Sequence, residues 1–414
     1  MRKKIKKCFI KPLFALCSLT AAALFAGVLY LQSYLPANYY VYEGSSLSVQ
    51  GPVPLSCEKS ALAAPVENTL GAQSYTVNLK AFGVIPVKSA AVQVINNRKV
   101  KVLGTGFGIK IYTAGVMVVK LDTVDTERGQ VDVAGRAGVK LGDVILKING
   151  QAVGSNEQVA AMIEKSGGDP LKLTLQRNGK TMQVTVVPEL SYASGKYKAG
   201  IWVRDSSAGI GTLTFYSPGY SVVCGLGHGV YDTDTGELLT VNSGELVNAR
   251  IIAVKKGIDG CPGQLEGVFE ELALGSMLTN CETGVYASYS TRAEPGELKE
   301  IALKQQVQPG KAQILCTVDE GAPQLYDCVL EKVTYNNQKT KNMVVRVTDK
   351  ALLQKTGGIV QGMSGSPLLQ NGKLIGAVTH VLVDDPTKGY AIFAENMLET
   401  AQSVAKSNKL KDAS

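Results

Sequence analysis

Residues 362–380 read GMSGSPLLQNGKLIGAVTH, and this stretch carries the strongest signal of fold and chemistry in the chain. Small residues on both sides of Ser364 let the backbone turn tightly, so that the N–H groups of Gly362 and Ser364 can converge on one oxygen. A serine hydroxyl is a weak nucleophile that needs such donors, a neighbouring base and an orienting acid. The stretch predicts a nucleophile at Ser364 and an oxyanion hole at Gly362 and Ser364. A tight turn between two strands is the purely structural alternative.

The base for this chemistry has to be a histidine, and the chain contains two of them. His228 lies in CGLGHGVYD, residues 224–232, where glycines leave room for the imidazole near a turn. It precedes Ser364 by 136 residues (364 − 228), a separation that suits two successive barrels supplying one partner each. His380 follows the serine on the next predicted strand and is better explained as a pocket wall or a core histidine. We therefore predict that His228 is the general base.

The string around Ser364 resembles the G-x-S-G-[GS]-P signature of chymotrypsin-like peptidases, and residues 376–380 are similar to the strand that lines their primary specificity pocket. From about residue 195 onward, short alternating strands are separated by Gly, Asp and Asn turns, and helix signals are scarce until residues 396–406. Regular short strands over such a length favour closed barrels. We expect a mainly β protein in which residues 195–414 form a chymotrypsin-like double β-barrel peptidase domain.

The residues leave the acid of a catalytic triad open. In chymotrypsin-like enzymes it lies between the histidine and the serine, and four acids of this chain fall in that interval: Asp259, Glu266, Glu270 and Glu271. Asp349 is the alternative, 15 residues before Ser364 (364 − 349) at the end of a predicted strand. Geometry rather than chain order defines a triad. An Asp at that place is also favoured as a turn residue or a helix cap.

A second unit is predicted over residues 101–190. Residues 104–112 read GTGFGIKIY, residues 135–153 read GRAGVKLGDVILKINGQAV, and a helical segment follows at 156–165. This order resembles a PDZ domain, in which a glycine-rich loop offers N–H groups to a carboxylate and a C-terminal or internal peptide adds as a strand. A spacer or a surface for self-association is the alternative function. The resemblance implies four peptide-binding residues: Gly106, Phe107, Gly108 and Ile109.

The N-terminal segment is basic and then apolar. Six cations without an acid precede or begin the apolar run, so the rest of the chain carries about +2 (8 − 6). That balance argues against a nucleic-acid partner, which needs a concentrated basic face. Residues 12–31 are uncharged and mostly apolar, and roughly 20 such residues span a bilayer as a helix. We predict a transmembrane signal-anchor over residues 1–32 that sends the remainder across the membrane, followed by a β-rich spacer over residues 33–100.

Eight cysteines are present, and Cys8 and Cys17 fall in or beside the apolar segment. The other six are even in number and suit disulfides outside the cytoplasm. Cys316 and Cys328 flank a Gly-Ala-Pro turn, so they are candidates for a pair across a hairpin. None of the cysteines has the paired C-x-x-C spacing of a zinc site. The sequence therefore predicts neither a metal nor a cofactor.

The order of these units makes the resemblance more specific. An anchor, a PDZ domain and then a peptidase domain with GHGVYD and GMSGSPLLQNGKLIGAVTHV resemble the stage IV sporulation protein B peptidases of endospore-forming bacteria. The resemblance implies a serine endopeptidase that is exported into the space between the forespore and mother-cell membranes. There it cleaves an inhibitory membrane protein of the sporulation signalling complex, which lets an intramembrane protease process a pro-sigma factor.

The same resemblance implies the triad His228, Asp349 and Ser364, and it favours Asp349 over the acids near residue 266. It also implies self-cleavage in the segment before the PDZ domain. Two other functions stay open. One is a non-catalytic, membrane-tethered PDZ adaptor with a degenerate peptidase domain. The other is an HtrA-like quality-control protease, although in that group the PDZ domain follows the peptidase.

Overall fold

The computed structural model describes residues 2–42, 47–49, 51–59, 66–67, 73–95, 98–239, 241–289, 296–335 and 338–412. Within these residues the chain is mainly β structure, as its sequence predicts. The helices are α1 (Arg2–Tyr34), α2 (Val133–Arg136), α3 (Asn156–Lys165), α4 (Lys350–Thr356) and α5 (Ala394–Asp412), with one 3-10 turn at Lys304–Gln306.

The strands are numbered in chain order. They are β1 (Asn38–Tyr42), β2 (Leu55–Lys59), β3 (Val66–Glu67), β4 (Gln73–Ala81), β5 (Ile85–Ile95), β6 (Lys99–Val102), β7 (Gly106–Leu121), β8 (Val124–Thr126), β9 (Gly129–Val131), β10 (Val144–Ile148), β11 (Gln151–Ala152), β12 (Leu171–Arg177), β13 (Lys180–Val186), β14 (Glu189–Leu190), β15 (Tyr197–Lys198), β16 (Ile201–Ser217), β17 (Val222–Gly225), β18 (Val241–Lys255), β19 (Gln264–Cys281), β20 (Gly284–Ser288), β21 (Glu297–Glu300), β22 (Gly310–Cys316), β23 (Gln324–Val333), β24 (Met343–Val347), β25 (Pro367–Gln370), β26 (Lys373–Leu382) and β27 (Asp385–Phe393).

The first five strands form a separate sheet with the order β1-β5-β4-β2, in which β3 pairs with β4. Apolar residues alternate along its strands, and Val77 and Leu79 on β4 are buried on the same face. The end of α1 packs against this sheet, where the Gln32 side-chain amide donates to the Val87 carbonyl (2.8 Å). This sheet lies within residues 33–100, for which the sequence predicts a β-rich spacer.

Helix α1 covers the segment for which the sequence predicts a transmembrane anchor, residues 1–32. In the part of the chain that the structure describes, no helix combines the length and the apolar character needed to cross a membrane. The far end of α1 is fixed to the N-terminal sheet by the Lys88 ammonium, which donates to the Leu35 carbonyl (2.8 Å).

The first barrel of the peptidase region is built from β7, β18, β19, β20, β17 and β16 in that order. The ring closes because β16 also pairs with β7, with Gly211 opposite Phe107. Alternate side chains point inward and fill the interior, and Phe107, Leu246 and Val285 are fully buried.

The second barrel is closed by β22, β23, β24, β27, β26 and β25. The hairpin predicted after Ser364 is β25–β26, in which Pro367 lies opposite Ala377. Ile314, Val345 and Phe393 belong to its buried core. Two closed six-stranded barrels confirm the predicted double β-barrel.

The PDZ unit consists of the second half of β7, the elements from β8 to α3, and β12 and β13. Its core includes Val116, Ile145, Val159 and Leu173. The helix predicted over residues 156–165 is α3, and the Ser155 hydroxyl caps it by accepting from the Gln158 N–H (3.2 Å). Capping residues of this type favour helix initiation at that point.

The PDZ unit is inserted into the first barrel, because β7 precedes the unit and belongs to the same ring as β16 to β20. Strand β7 enters the unit and β16 leaves it, and the two remain paired from Gly106 opposite Thr212 to Leu121 opposite Ile201. The glycine-rich stretch at the start of β7 is barrel strand rather than a loop. A continuous 16-residue strand therefore serves both units.

Candidate active site

A cavity of about 520 Å³ lies between the two barrels and is lined by both His228 and Ser364. His228 follows β17, the strand of the first barrel that ends at Gly225, and Ser364 precedes β25 of the second barrel. Each barrel therefore supplies one of the two predicted partners. The fold brings together residues that are 136 positions apart in the chain (364 − 228).

The serine loop is shaped by glycine and clamped to β16. Gly365 has a φ of 96°, which L side chains rarely adopt. A Cβ at this position would lie 1.9 Å from the Thr212 carbonyl oxygen. The Thr212 hydroxyl donates to the Gly362 carbonyl (2.8 Å), and the Thr212 N–H donates to the Ser364 carbonyl (2.9 Å). Strand β16 therefore fixes the loop that carries the nucleophile.

The backbone donors of this loop alternate between bonded and available. The N–H of Met363 donates to Val360, and the N–H of Gly365 donates to Val378 (2.7 Å). Among the described residues, no acceptor takes the N–H groups of Gly362 or Ser364. An oxyanion hole needs two such unoccupied donors, so this arrangement is compatible with the predicted one, which stays a prediction.

The Ser364 hydroxyl itself is hydrogen-bonded, but not to a histidine. It donates to the Thr379 carbonyl at 2.5 Å. Thr379 lies on β26, the strand predicted to line the specificity pocket, and its own hydroxyl is buried without a partner in the described part of the chain. The nucleophile is thus held in a resting orientation against the pocket strand.

His228 is arranged as a neutral base. Its Nδ1 is 2.7 Å from the Gly229 carbonyl, and because a carbonyl only accepts, Nδ1 carries the proton and Nε2 is left as the basic atom. Burial lowers the pKa of His228 and outweighs the Gly229 bond, which acts in the opposite direction. The imidazole is therefore unprotonated at neutral pH, as a general base requires.

His380 lines the same cavity and packs against His228 in a tilted arrangement, with ring centroids 4.6 Å apart and planes inclined by 34°. Burial, then the His228 and Lys341 charges, lower the pKa of His380 to about 4. Its Nδ1 is buried and has no hydrogen-bond partner among the described residues. The expectation that His380 forms a pocket wall agrees with this position.

Asp349, the predicted acid, is the N-cap of α4. Its Oδ1 accepts from the N–H groups of Ala351 (2.8 Å) and Leu352 (3.1 Å). Within the described residues, the Gly229 carbonyl is the one hydrogen-bond partner of the His228 ring, and no carboxylate contacts it. The structure thus brings His228 and Ser364 together but does not bring Asp349 to them.

The four alternative acids do not reach the histidine either. Asp259 lies in the turn after β18, and the other three lie on β19: Glu266, Glu270 and Glu271. All four are exposed. The place of the acid next to His228 is taken by the Gly229 carbonyl in this arrangement.

The prediction that Gly106, Phe107, Gly108 and Ile109 bind a peptide is wrong. They lie in β7, which pairs with β16 along one edge and with β18 along the other. Phe107 is 0% exposed, and Ile109 lines the catalytic cavity. A bound peptide strand needs an edge that no other strand occupies.

The PDZ unit has a different open edge. Residues 201–204 of β16 pair with β7 on one side, and no strand of the described residues pairs with their other side. Helix α3 lies next to this edge, because the Asn156 N–H donates to the Asp205 carboxylate (3.0 Å). Trp202 is 59% exposed there.

Sequence reasoning missed several residues that build the site. Thr212 and Thr379 bind the serine loop, and Arg204 binds the loop after His228 through ion pairs to Asp232 and Asp234. The alternation of residues 209–215, GIGTLTF, signals a strand. It does not reveal that the strand contacts the serine loop, because that contact depends on how the first barrel packs against the second.

Comparisons with known proteins agree with the two units. Residues 195–398 match a family model described as SpoIVB peptidase S55, and residues 132–177 match a model described as PDZ domain. The family resemblance stated from the sequence is thereby confirmed.

Curated relatives match only a short part of the chain. A putative zinc metalloprotease of Clostridium acetobutylicum is 37% identical over 68 residues, 16% of this chain and 20% of that protein. The zinc metalloprotease RasP of Geobacillus kaustophilus is 37% identical over 60 residues, 14% of each chain. The chain thus spans a fifth or less of their lengths. A crystal structure of the PDZ domain of the SdrC-like protein from Listeria monocytogenes is 22% identical, covering 22% of this chain and 90% of that one, with a TM-score of 0.19.

Proposed function

Residues 195–398 form a serine peptidase domain of the SpoIVB peptidase S55 family, and we propose that the chain is a signalling endopeptidase of sporulation. The observation that carries this proposal is one cavity that holds a neutral His228, Ser364 and two unoccupied backbone donors. These are the parts that acyl transfer from a peptide bond requires.

The reaction begins when the Ser364 hydroxyl turns from the Thr379 carbonyl toward Nε2 of His228. His228 takes the proton as Oγ attacks the scissile carbonyl, and the N–H groups of Gly362 and Ser364 bind the oxygen that becomes negative. The imidazolium then protonates the leaving amine. Water repeats the sequence and frees the acid product. The turn of Ser364 also frees the Thr379 carbonyl to accept a hydrogen bond from the substrate backbone.

The substrate side chain at the cleaved bond is proposed to be neutral. None of the residues that line the cavity is an Asp, Glu, Lys or Arg, and Ile109, Ile210, Val360 and Val381 are among them. A charged side chain buried there would lose its hydration without gaining a counter-ion. Peptide libraries that vary this side chain test the preference, and faster cleavage after an acidic or basic residue contradicts it.

The proposed substrate is a membrane-bound inhibitor, in the space between the forespore and mother-cell membranes, whose cleavage lets a pro-sigma factor be processed. The family supports the sporulation role, and the basic start before the apolar residues 12–31 supports export. Self-cleavage before β6 belongs to the same proposal. Peptides from the membrane partner, or a second copy of the chain, are proposed to add to the open edge of β16.

A fluorophosphonate probe tests the activity directly. Oγ of Ser364 bonds to phosphorus, fluoride leaves, and the proton departs through His228, so only an activated serine is labelled. We expect labelling of the intact chain and none of Ser364→Ala, with equal thermal melts. Absence of labelling in the unaltered chain contradicts a peptidase and favours the adaptor. Cleavage of a denatured generic protein as fast as of the membrane inhibitor favours the quality-control alternative.

A further inference from the structure

Strand β16 runs from the PDZ unit to the catalytic cavity without interruption. Residues 201–204 pair with residues 117–121 of β7 inside the PDZ unit. Residues 207–210 line the cavity, and Thr212 binds the serine loop. One strand therefore contacts both the open PDZ edge and the nucleophile loop.

Arg204 on this strand also contacts the histidine loop. Its guanidinium forms two ion pairs, with Asp232 (2.6 Å) and with Asp234 (2.6 Å). Asp232 follows His228 by four residues (232 − 228). A fork that bridges two carboxylates fixes both distance and direction, which a single lysine ammonium does not.

Asp232 is the centre of a rigid turn. Its side chain is 1% exposed, and Oδ1 accepts from the N–H groups of Asp234 (3.0 Å) and Thr235 (2.9 Å). Burial acts to raise the pKa of Asp232, but these N–H groups, the Thr235 hydroxyl and Arg204 together lower it. The carboxylate is charged at neutral pH, so removal of Arg204 leaves a buried charge without its cation.

A second attachment holds the loop nearer to the histidine. The Asn280 side chain accepts from the Val230 N–H (2.8 Å) and donates to the Val230 carbonyl (2.8 Å). Loss of the arginine fork therefore leaves the loop attached at Val230 and loosens it beyond. The expected result is a folded barrel in which Tyr231 and Thr233, which flank Asp232 and line the cavity together with His228, shift and disturb the packing around the imidazole.

We propose that Arg204 is a positioning residue that holds the His228 loop in line with Ser364 and so couples the PDZ edge of β16 to the active site. The coupling deepens the proposed peptidase function and rests on it. Misplacement of a reacting group by about 1 Å costs roughly 100-fold in rate. Because coupling between two sites is reciprocal, covalent labelling of Ser364 should also alter the conformation of β16 at the open PDZ edge.

The chain carries its own reporter for this coupling. Trp202 is its one tryptophan and lies two positions before Arg204 (204 − 202) on β16. Its ring is 5.6 Å from the Lys120 ammonium on the paired strand. Emission from Trp202 therefore reads the PDZ edge while the fluorophosphonate reacts at Ser364.

The experiment compares the unaltered chain with Arg204→Gln, Asp234→Asn and the control Arg250→Gln. Arg250 is also on a barrel strand and pairs with the exposed Glu320 (3.3 Å). For each protein we measure the labelling rate against pH and the Trp202 emission before and after labelling. Circular dichroism and thermal melts report whether each variant folds.

We expect Arg204→Gln to be labelled about tenfold more slowly, with a shifted pH midpoint because the His228 environment changes. The emission change on labelling, present in the unaltered chain and in Arg250→Gln, should be lost. Asp234→Asn, whose carboxylate is 45% exposed, should fold and change both readouts in the same direction by less. If Arg204→Gln does not fold, the Asp234→Asn variant still tests the coupling.

Two results overturn the coupling. One is a folded Arg204→Gln protein with the labelling rate, pH midpoint and emission change of the unaltered chain. The other is an unaltered chain that is labelled fully while Trp202 emission stays constant. Failure of the proposed peptidase function looks different, because the unaltered chain is then not labelled at all.

Discussion

The polar residues of the site differ in whether their hydrogen-bonding groups have partners. The Ser364 hydroxyl donates a hydrogen bond to the Thr379 carbonyl, and the rings of the two histidines lie 4.6 Å apart at an angle of 34°. Buried polar atoms on Thr379 and His380 have no partner among the described residues. Each such atom costs free energy, because it has lost its hydration without gaining a partner.

Gly365→Ala should abolish the activity while the chain stays folded. The new methyl would meet the Thr212 carbonyl at 1.9 Å, at a φ of 96° that favours glycine. We expect fluorophosphonate labelling to fall by more than about 100-fold, since the serine must move to relieve the clash. Gly372→Ala is the matched control, because its φ is 75° and nothing lies within 4 Å of the added atom. Equal rates in both variants contradict the prediction.

His380→Phe should make the chain less sensitive to acid. The folded pKa of His380 is about 4, below the usual value near 6.5, so the unfolded chain binds the proton more readily. Stability therefore falls as pH drops from about 6.5 toward 4. The phenylalanine ring keeps the stacking on His228 without titrating. We expect it to lose about 1–2 kcal/mol less than the unaltered chain between pH 7 and pH 4.5, as measured by urea unfolding. Parallel losses in the two proteins exclude this role.

At the scale of elements, α4 precedes the serine loop in the chain and β16 binds it. Helix α4 ends at Thr356 and is capped by Gly357, whose φ is 76°, and the chain then continues to Ser364. Strand β16 supports the same loop from below through Thr212. Defects in these elements reach the site through the loop backbone rather than through side chains in the cavity.

Two substitutions of Asp349 distinguish its role as a helix cap from a role as the catalytic acid. Asp349→Ala removes the cap of α4 and should lower the free energy of unfolding by about 1 kcal/mol. Asp349→Asn keeps a capping oxygen and should unfold near the unaltered midpoint, as urea titration can measure. A large stability loss in the Asn variant contradicts the cap. Its labelling rate then decides the acid role, because an orienting aspartate lost from a triad costs about 10⁴-fold.

Much of the molecule follows from sequence, but only where the signal is local. The hairpin after Ser364, helix α3 and the alternation of the barrel strands are encoded by neighbouring residues. The sequence predicts a peptide-binding loop at residues 106–109 because a glycine-rich stretch is typical of such loops. Glycines also occur in a strand whose neighbours approach its backbone closely, and the sequence alone does not distinguish the two cases. The Arg204 contacts join positions 28 and 30 residues apart, and the antiparallel pairing of β16 with β17 brings these positions near each other.

At the scale of the whole molecule, the PDZ unit is an insertion with adjacent ends. Asp122 donates its N–H to the Gly200 carbonyl (2.8 Å) where the unit begins and ends. Antiparallel neighbours at this distance can be joined by a two-residue turn. A short turn could therefore connect β7 directly to β16 and complete the first barrel without the PDZ unit.

Two truncations test the insertion. A chain that starts at residue 195 lacks β6 and β7 and should not fold, because the first barrel loses one of its six strands. A chain in which Asn-Gly replaces residues 123–199 should fold cooperatively, as measured by circular dichroism and thermal melting. A folded product from the first design, or an unfolded one from the second, contradicts the topology.

The position of the inserted PDZ unit also determines where the chain can be cleaved without separating paired strands of the barrels. A break anywhere before Lys99 leaves every strand of both barrels in one piece. A break between Gly106 and Ser217 falls in β7, in β16 or in the PDZ unit between them, and so separates two strands that must stay registered. Removal of the residues before Lys99 would therefore leave the strand order and register of both barrels intact.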